Sequence, residues 1–115
     1  MSSGADYNVD EKLMARRDGA TLIKNSGRGE VKGDAKKGNL LIDYKFTGAK
    51  SFALNNAEFE KLSHDAFRQG LEPAIVVVFD TTKRRVIMDW GYVLELQAEL
   101  QRWRDLEADL DGSIY

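Results

Sequence analysis

Hydrophobic residues recur along this chain with two different periods, which together predict a mixed α/β fold. Helical spacing is clearest in the middle of the chain, where the stripe expected to be buried consists of Phe59, Leu62, Ala66 and Phe67. The run Ala74–Phe79 is continuous and rich in β-branched residues, which is typical of a strand buried on both faces of a sheet. The predicted order is α-β-β-β-α-β-β-α. Its first half consists of a helix from Asn8 to about Asp18, a strand from Ala20 to Lys24 and a hairpin whose second strand runs from Leu40 to about Thr47. Its second half consists of a helix from about Asn56 to Gln69, strands Ala74–Phe79 and Arg85–Trp90, and a helix from about Gly91 to roughly Leu110.

Residues with strong capping preferences mark the ends of the first two predicted helices. Asn8 is the expected N-cap of the first helix, and Gly19 ends it. Asn55 is the expected N-cap of the second helix, with Glu58 in the capping-box position three residues later. Gly70 stands where a left-handed residue commonly follows a helix. These signals give the helices definite ends.

Length and composition indicate one domain that spans residues 1–115, with a loose lead-in at 1–7 and a C-terminal helix and tail at 91–115. The 115 residues are 43% hydrophobic and 10% aromatic, as in a folded globular protein. The absence of cysteine excludes disulfides and thiolate zinc sites. No secretory signal or membrane-spanning run is present, so we expect a cytoplasmic protein, in the host cytoplasm if a phage encodes it.

A polar hairpin carries the candidate chemistry. Gly38-Asn39 is a two-residue turn signal, and counting outward from it places Asp34 directly opposite Asp43 on the next strand. Alternation puts Lys45 on the same face as Asp43 and Tyr44 on the other face. Opposed like charges destabilise an antiparallel pair, so two carboxylates at this position need a counter-charge. A divalent cation is the simplest one.

Two carboxylates on adjacent strands offer hard oxygen ligands, which suit Mg²⁺ with Mn²⁺ as a possible substitute. A bound metal polarises a phosphoryl group and lowers the pKa of a coordinated water. Lys45 is placed to orient that water or to stabilise negative charge on phosphorus. Its two acidic neighbours should favour its charged form. The alternative interpretation is a solvated salt bridge among Asp34, Asp43 and Lys45.

The charge distribution indicates a basic first half. Residues 1–50 carry ten Lys/Arg and seven Asp/Glu, whereas residues 51–115 carry seven and twelve. Such a basic surround can bind the phosphates of DNA, although each residue alone can also be an ordinary surface charge. In the glycine-bearing loop Asn25–Gly29, a hydroxyl and a guanidinium can reach a phosphate. The candidate DNA-binding residues are Arg16, Arg17, Lys24, Ser26, Arg28, Lys36, Lys37 and Lys50.

With Gly33-Asp34 and Asp43-Tyr44-Lys45 placed around a hairpin, the chain resembles the PD-(D/E)XK nuclease superfamily over roughly residues 8–90. Within it, the chain is most similar to archaeal-type Holliday junction resolvases and small phage nucleases. The resemblance implies a restriction-endonuclease-like core and a metal held by Asp34, Asp43 and the Tyr44 carbonyl. Glu11 is the candidate for the acid that a first helix often adds. Two departures are the missing proline before Asp34 and the use of Asp, rather than Glu, at position 43.

The resulting prediction is a divalent-metal-dependent endodeoxyribonuclease that resolves four-way junctions by paired phosphodiester hydrolysis. Another structure- or end-dependent DNA nuclease of phage recombination, repair or packaging is an alternative, and so is a non-catalytic DNA-binding or assembly module. Glu11 has a second interpretation as the capping-box partner of Asn8. The last helix, with Trp90 at its start and Trp103 within it, suits either a cap on the sheet or the interface of a homodimer. His64, the only histidine, is expected at the surface.

Overall fold

A computed structural model describes residues 10–25 and 30–113 of the chain. Within them, five strands form one sheet in the order β1-β2-β3-β4-β5, in which only β3 and β4 are parallel. The predicted mixed α/β class is therefore confirmed. The elements are α1 (Glu11–Asp18), β1 (Thr21–Asn25), β2 (Glu30–Lys37), β3 (Leu40–Phe46), α2 (Asn56–Arg68), β4 (Glu72–Val78), β5 (Arg84–Met88) and α3 (Trp90–Ser113).

The first helix begins at a different cap from the one predicted. Asp10, not Asn8, is the N-cap of α1, and its carboxylate accepts a hydrogen bond of 2.9 Å from the Leu13 N–H. Both residue types are good caps, and the one next to the helical run prevails because its oxygen reaches a free N–H of the first turn. Glu11 is then the first residue after the cap rather than the third. The capping-box interpretation of Glu11 is therefore wrong.

The second helix ends as predicted but buries less of its stripe. Gly70, with φ of 69°, follows the helix, and the Leu71 N–H donates to the Ala66 carbonyl at 2.8 Å, which closes the last turn. Leu62 and Ala66 are buried, whereas the side chain of Phe67 is 85% exposed. The prediction that Phe67 is buried is wrong, because it lies one helical step of 100° beyond Ala66 and points past the sheet.

Side chains from β4 fill both faces of the sheet, as predicted for its apolar run. Ala74 and Val78 pack with α1 on one face, whereas Ile75 and Val77 pack with α2 on the other. The same alternation divides β3, whose even-numbered residues 42 and 44 join the α1 side. Its odd-numbered residues from 41 onward face α2. The polar residues of β3 therefore emerge on the α2 face.

A polar lock ties β3 to α1 and β5. The Tyr44 hydroxyl donates a hydrogen bond of 2.7 Å to Asp18 Oδ2, and Arg84 Nη1 donates one of 2.6 Å to Asp18 Oδ1. Tyr44 is buried, and its burial together with the hydrogen bond to Asp18 raises its pKa. Because Tyr44 stands between Asp43 and Lys45 in the chain, this lock fixes the strand that presents both of them.

The last helix does not cap the sheet. Its start is tied to the hairpin turn, where Asn39 Nδ2 donates to the Tyr92 hydroxyl at 2.7 Å. From residue 94 to residue 111 every side chain is exposed. The molecule is accordingly elongated, with extents of 61 × 34 × 26 Å. Of the two interpretations of this helix, the cap on the sheet is wrong.

The lock makes a prediction about stability. Tyr44→Phe removes one hydrogen bond to a charged acceptor, so the free energy of unfolding should fall by roughly 1 to 2 kcal/mol. Urea denaturation measures it. The matched control is Tyr92→Phe, which loses an exposed hydrogen bond between the neutral groups of Asn39 and Tyr92 and should change stability by less than about 0.5 kcal/mol. Equal losses of stability in the two variants would show that the hydrogen bond to Asp18 stabilises the fold no more than the exposed one does.

Candidate active site

The β2–β3 hairpin places two carboxylates opposite each other. Gly38 adopts a φ of 58° in the turn, which a residue without Cβ accepts most readily. The strands then pair with Asp34 directly across from Asp43, so the predicted register is confirmed. Both residues lie on the face that α2 covers, and both are partly buried. The hairpin therefore presents two acids at one point of the sheet.

Lys45 connects the hairpin to α2. Its Nζ lies 3.3 Å from Asp43 Oδ2 and 3.0 Å from Glu58 Oε2. The hydrogen bond to Glu58 is the largest influence on its pKa, which is raised; burial opposes this and Asp43 reinforces it. The expectation that neighbouring carboxylates favour the charged form is confirmed, with Glu58 as one of the two acids. Lys45 is thus a held cation rather than a free amine.

The two opposed carboxyls are both harder to ionise than usual. Burial, followed by the charges of Asp43, Asp65 and Glu11, raises the pKa of Asp34 to about 6, against a smaller lowering by Lys45. Burial also raises the pKa of Asp43, although Lys45 opposes it. One nearby lysine does not compensate this group of acids, so the site carries surplus negative charge at neutral pH.

The carboxylates of the site are the type of ligand that a hard divalent cation prefers. They do not form a complete coordination shell. Among the described residues, no group of three or more His, Asp or Glu side chains is spaced to hold a metal ion. Mg²⁺ keeps several waters and commonly uses one or two carboxylates together with substrate phosphate. Asp34 and Asp43 meet that smaller requirement, since they are adjacent, partly buried and poorly compensated. These residues therefore fit the ion as a partial ligand pair.

Two further predicted ligands are Glu11 and the backbone carbonyl of Tyr44. Glu11 is half-buried at the start of α1, and its charge contributes to the raised pKa of Asp34. The Tyr44 side chain lies on the opposite face of the sheet in the lock with Asp18. Metal ligation by Glu11 and by the Tyr44 carbonyl stays a prediction.

Five of the predicted DNA-binding cations are exposed in the structure, and two of these five donate hydrogen bonds to backbone carbonyls. Arg16, Lys36 and Lys50 are exposed, and Lys36 shares the strand face of Asp34. Arg17 donates to the Thr81 carbonyl at 3.1 Å. Lys37 Nζ donates to a carbonyl in the last turn of α1 at 2.6 Å, a favourable place for a cation.

The remaining predicted DNA contacts lie near the end of β1 or in the segment that follows it. Ser26 and Arg28 lie outside the described residues, and Lys24 belongs to β1 but its side chain is outside the described part. His64 is exposed on α2, as predicted. The exposed cations nearest in sequence to the paired acids are Lys36 and Lys37.

Two acids of the site were missed by sequence reasoning. Glu58 was interpreted only as a capping-box residue and Asp65 was not considered, yet both act on the hairpin across the gap between α2 and the sheet. A signal was present, because Glu58, Leu62 and Asp65 recur at i, i+4 and i+7 around a buried leucine. Acids that flank the buried stripe of a helix face the sheet on which it packs.

Comparisons of the chain with protein-family models, with curated proteins and with solved structures found no match. Of the helices in the described part of the chain, none combines the length and apolarity needed to cross a bilayer. The functional argument therefore depends on the geometry of the hairpin and α2.

The raised pKa of Asp34 predicts that the folded protein loses stability as the pH rises. Between about pH 4 and pH 6 the unfolded chain ionises this carboxyl before the folded protein does, so the free energy of unfolding falls as pH rises. Asp34→Asn removes this fall. Without divalent metal, the variant should gain on the order of 1 kcal/mol over the parent at pH 7.5, after allowance for solvent screening, and lose that gain near pH 4.

Urea denaturation at the two pH values measures this difference. Asp109→Asn, which alters an exposed carboxylate of α3, is the matched control and should show no such gain. The same pH dependence in both variants would contradict the assignment of the cost to Asp34.

Proposed function

We propose that this protein is a divalent-metal-dependent DNA endonuclease that hydrolyses phosphodiester bonds, with the four-way junction as its preferred substrate. The observation that carries the proposal is the pair Asp34 and Asp43, opposed on adjacent strands with Lys45 in contact with the second. Such a pair destabilises a hairpin unless a cation compensates it. Retaining it at a partly buried position is accounted for by metal binding.

The proposed metal ligands are Asp34 and Asp43, with Glu11 and the Tyr44 carbonyl as further candidates, and Mg²⁺ is the proposed ion with Mn²⁺ as a substitute. When bound, the ion supplies Lewis-acid polarisation of the phosphoryl oxygen and a lower pKa for its water. The two carboxylates would hold the ion at the pair of the β2–β3 ladder that lies farthest from the hairpin turn.

Lys45 has a separate role in this proposal. Its raised pKa argues against a free-amine base, since the side chain keeps its proton at neutral pH. As a cation it donates hydrogen bonds that orient the attacking water or stabilise charge developing on the phosphate. Glu58 holds Lys45 from the α2 side, 3.0 Å away, and so acts on its position.

The DNA-binding surface is proposed to include the exposed cations Arg16, Lys36 and Lys50, together with the other basic candidates of the first half of the chain. Cations there offset the repulsion between the acidic site and the phosphate backbone. The helix α3 carries six acids and two arginines, so DNA should approach from elsewhere. This polarity supports a nucleic-acid substrate despite the net charge of −2.

The fold supports the finer assignment to a restriction-endonuclease-like core of the PD-(D/E)XK type, which is part of the proposal. A helix precedes three antiparallel strands, and a second helix leads into the parallel strand β4. The motif residues Asp34, Asp43 and Lys45 stand on β2 and β3. Paired cuts across a four-way junction require two sites, so a homodimer is the proposed active form.

A non-catalytic DNA-binding or assembly module is the second candidate. The observation in its favour is that Lys45 contacts both Asp43 and Glu58, so part of the acidic charge is compensated without metal. A general structure- or end-dependent nuclease is the alternative within the same chemistry. The two experiments that follow separate these possibilities.

Removing any one of three groups should abolish cutting. Asp34→Asn, Asp43→Asn and Lys45→Ala are each expected to lower the Mg²⁺-dependent cleavage rate by at least about a hundredfold. Junction binding should survive in both Asn variants, because losing negative charge does not weaken contacts to phosphate. Asp109→Asn is the control and should cut normally. Undiminished cleavage in the three site variants would refute the assignment.

Substrate choice distinguishes the nuclease alternatives. Labelled four-way junction, fork and linear duplex are incubated with the parent protein and Mg²⁺ or Mn²⁺, and the products are separated on denaturing gels. Paired symmetric nicks on the junction alone are expected. Cleavage of all three substrates would indicate a general nuclease. No cleavage of any substrate, together with no Mg²⁺-induced rise in the melting temperature of the parent over Asp43→Asn, would favour the non-catalytic module.

A further inference from the structure

The helix α3 carries a row of large apolar side chains that are exposed to solvent in the described part of the chain. Leu96 is 44% exposed, Leu100 46%, Trp103 61% and Leu110 59%. The helix has 24 residues, which corresponds to a length of about 36 Å. In proteins most of the stability of a helix comes from the tertiary packing of its apolar face. The helix therefore needs a partner along its length.

The apolar row has the spacing of a two-stranded coiled coil. Val93 and Leu100 occupy heptad position a, and Leu96, Trp103 and Leu110 occupy position d. Glu107 is the single charged residue in this seam. We propose that α3 pairs with α3 of a second copy of this chain as a parallel, in-register coiled coil.

Charge complementarity selects a second copy in parallel orientation. In a parallel pair, position g of one helix meets the following position e of the other, which brings Glu99 against Arg104 of the second copy on both sides. In an antiparallel pair that matches every apolar layer, Glu99 faces Glu99 and Arg104 faces Arg104. Shifting the antiparallel pair by one heptad leaves apolar residues unpaired. The parallel pair alone matches the apolar layers and also pairs these flanking charges, although it places Glu107 opposite Glu107 of the second copy.

The acidity of α3 argues against nucleic acid as the occupant. The helix carries six acids against two arginines, so phosphate is repelled. Three of these acids, Glu95, Asp105 and Asp109, fall at positions c and f, which face solvent in the pair. Glu107 disfavours the pairing, because at position a it lies opposite the like charge of Glu107 in the second copy. We therefore expect Glu107→Leu to tighten the dimer.

Parallel pairing has a consequence for the whole assembly. The N-terminal end of α3 is the end attached to the sheet, through β5 and the contact between Asn39 and Tyr92. A parallel pair therefore places both α/β bodies at one end, where two sites can act on one substrate. An antiparallel pair would separate them by about the helix length of 36 Å. The pairing is argued from α3 alone and does not depend on cleavage chemistry.

Disulfide trapping tests the orientation, because the parent chain contains no cysteine. Leu96→Cys and, separately, Leu110→Cys are oxidised in the full-length protein and examined on non-reducing gels. In the parallel pair each cysteine lies opposite its own copy, within the 4.4–6.8 Å between Cα atoms that a disulfide spans, so most of the chain should become covalent dimer. The control Glu95→Cys, at outward position c, should stay monomeric on the gel.

Light scattering of the parent and of a seam variant completes the test. The parent should have twice the mass of the chain, and Leu100→Lys with Trp103→Lys should be monomeric with an unchanged circular dichroism signal from the α/β body. The matched control, Glu95→Lys with Asp109→Lys, should stay dimeric. A monomeric parent overturns the proposal. So does a dimer in which neither Leu96→Cys nor Leu110→Cys forms the covalent species.

Discussion

The opposition of Asp34 and Asp43 across the β2–β3 hairpin is the constraint on which the candidate site depends. Strand side chains have a period of two, so a slip of one residue would move one carboxylate to the other face and separate the pair. The register is held by the tight turn at Gly38 and by the adjacent apolar pair Ala35 and Ile42, both buried on the α1 side. The turn geometry and the core packing thus bring two like charges together. A bound cation would remove the resulting electrostatic repulsion.

The two faces of the sheet differ in what their polar contacts do. On one face the Tyr44 hydroxyl and Arg84 share the Asp18 carboxylate, which ties β3 to α1 and β5. On the other face Lys45 is held between Asp43 and Glu58. Alternation along a single strand therefore lets one residue anchor the strand while its two neighbours in sequence present charge. Such a rigid strand suits chemistry that requires fixed geometry.

The helix α3 adds a second, largely independent organisation. None of its described side chains is fully buried, and only Tyr92 and Val93 are partly buried. The helix nevertheless carries the densest row of exposed leucine and tryptophan in the described chain. The acidic charge of the second half of the chain is concentrated on it, and basic residues dominate the first half. The chain thus separates a surface suited to phosphate from a surface suited to its own copy. If both proposals hold, association positions two sites without using residues of either site.

The sequence by itself determined what depends on neighbouring residues: the hairpin turn, the register that opposes Asp34 to Asp43, the glycine after α2 and the buried run of β4. Each follows from local backbone preference or from the period of side chains along one element. Tertiary structure alone decided which partner each charge takes. Glu58 meets Lys45 and Arg84 meets Asp18 because helices and strands distant in sequence pack together, and no local pattern encodes those distances. The exposure of Phe67 has the same cause, since only the packing angle of α2 on the sheet determines how wide its buried stripe can be.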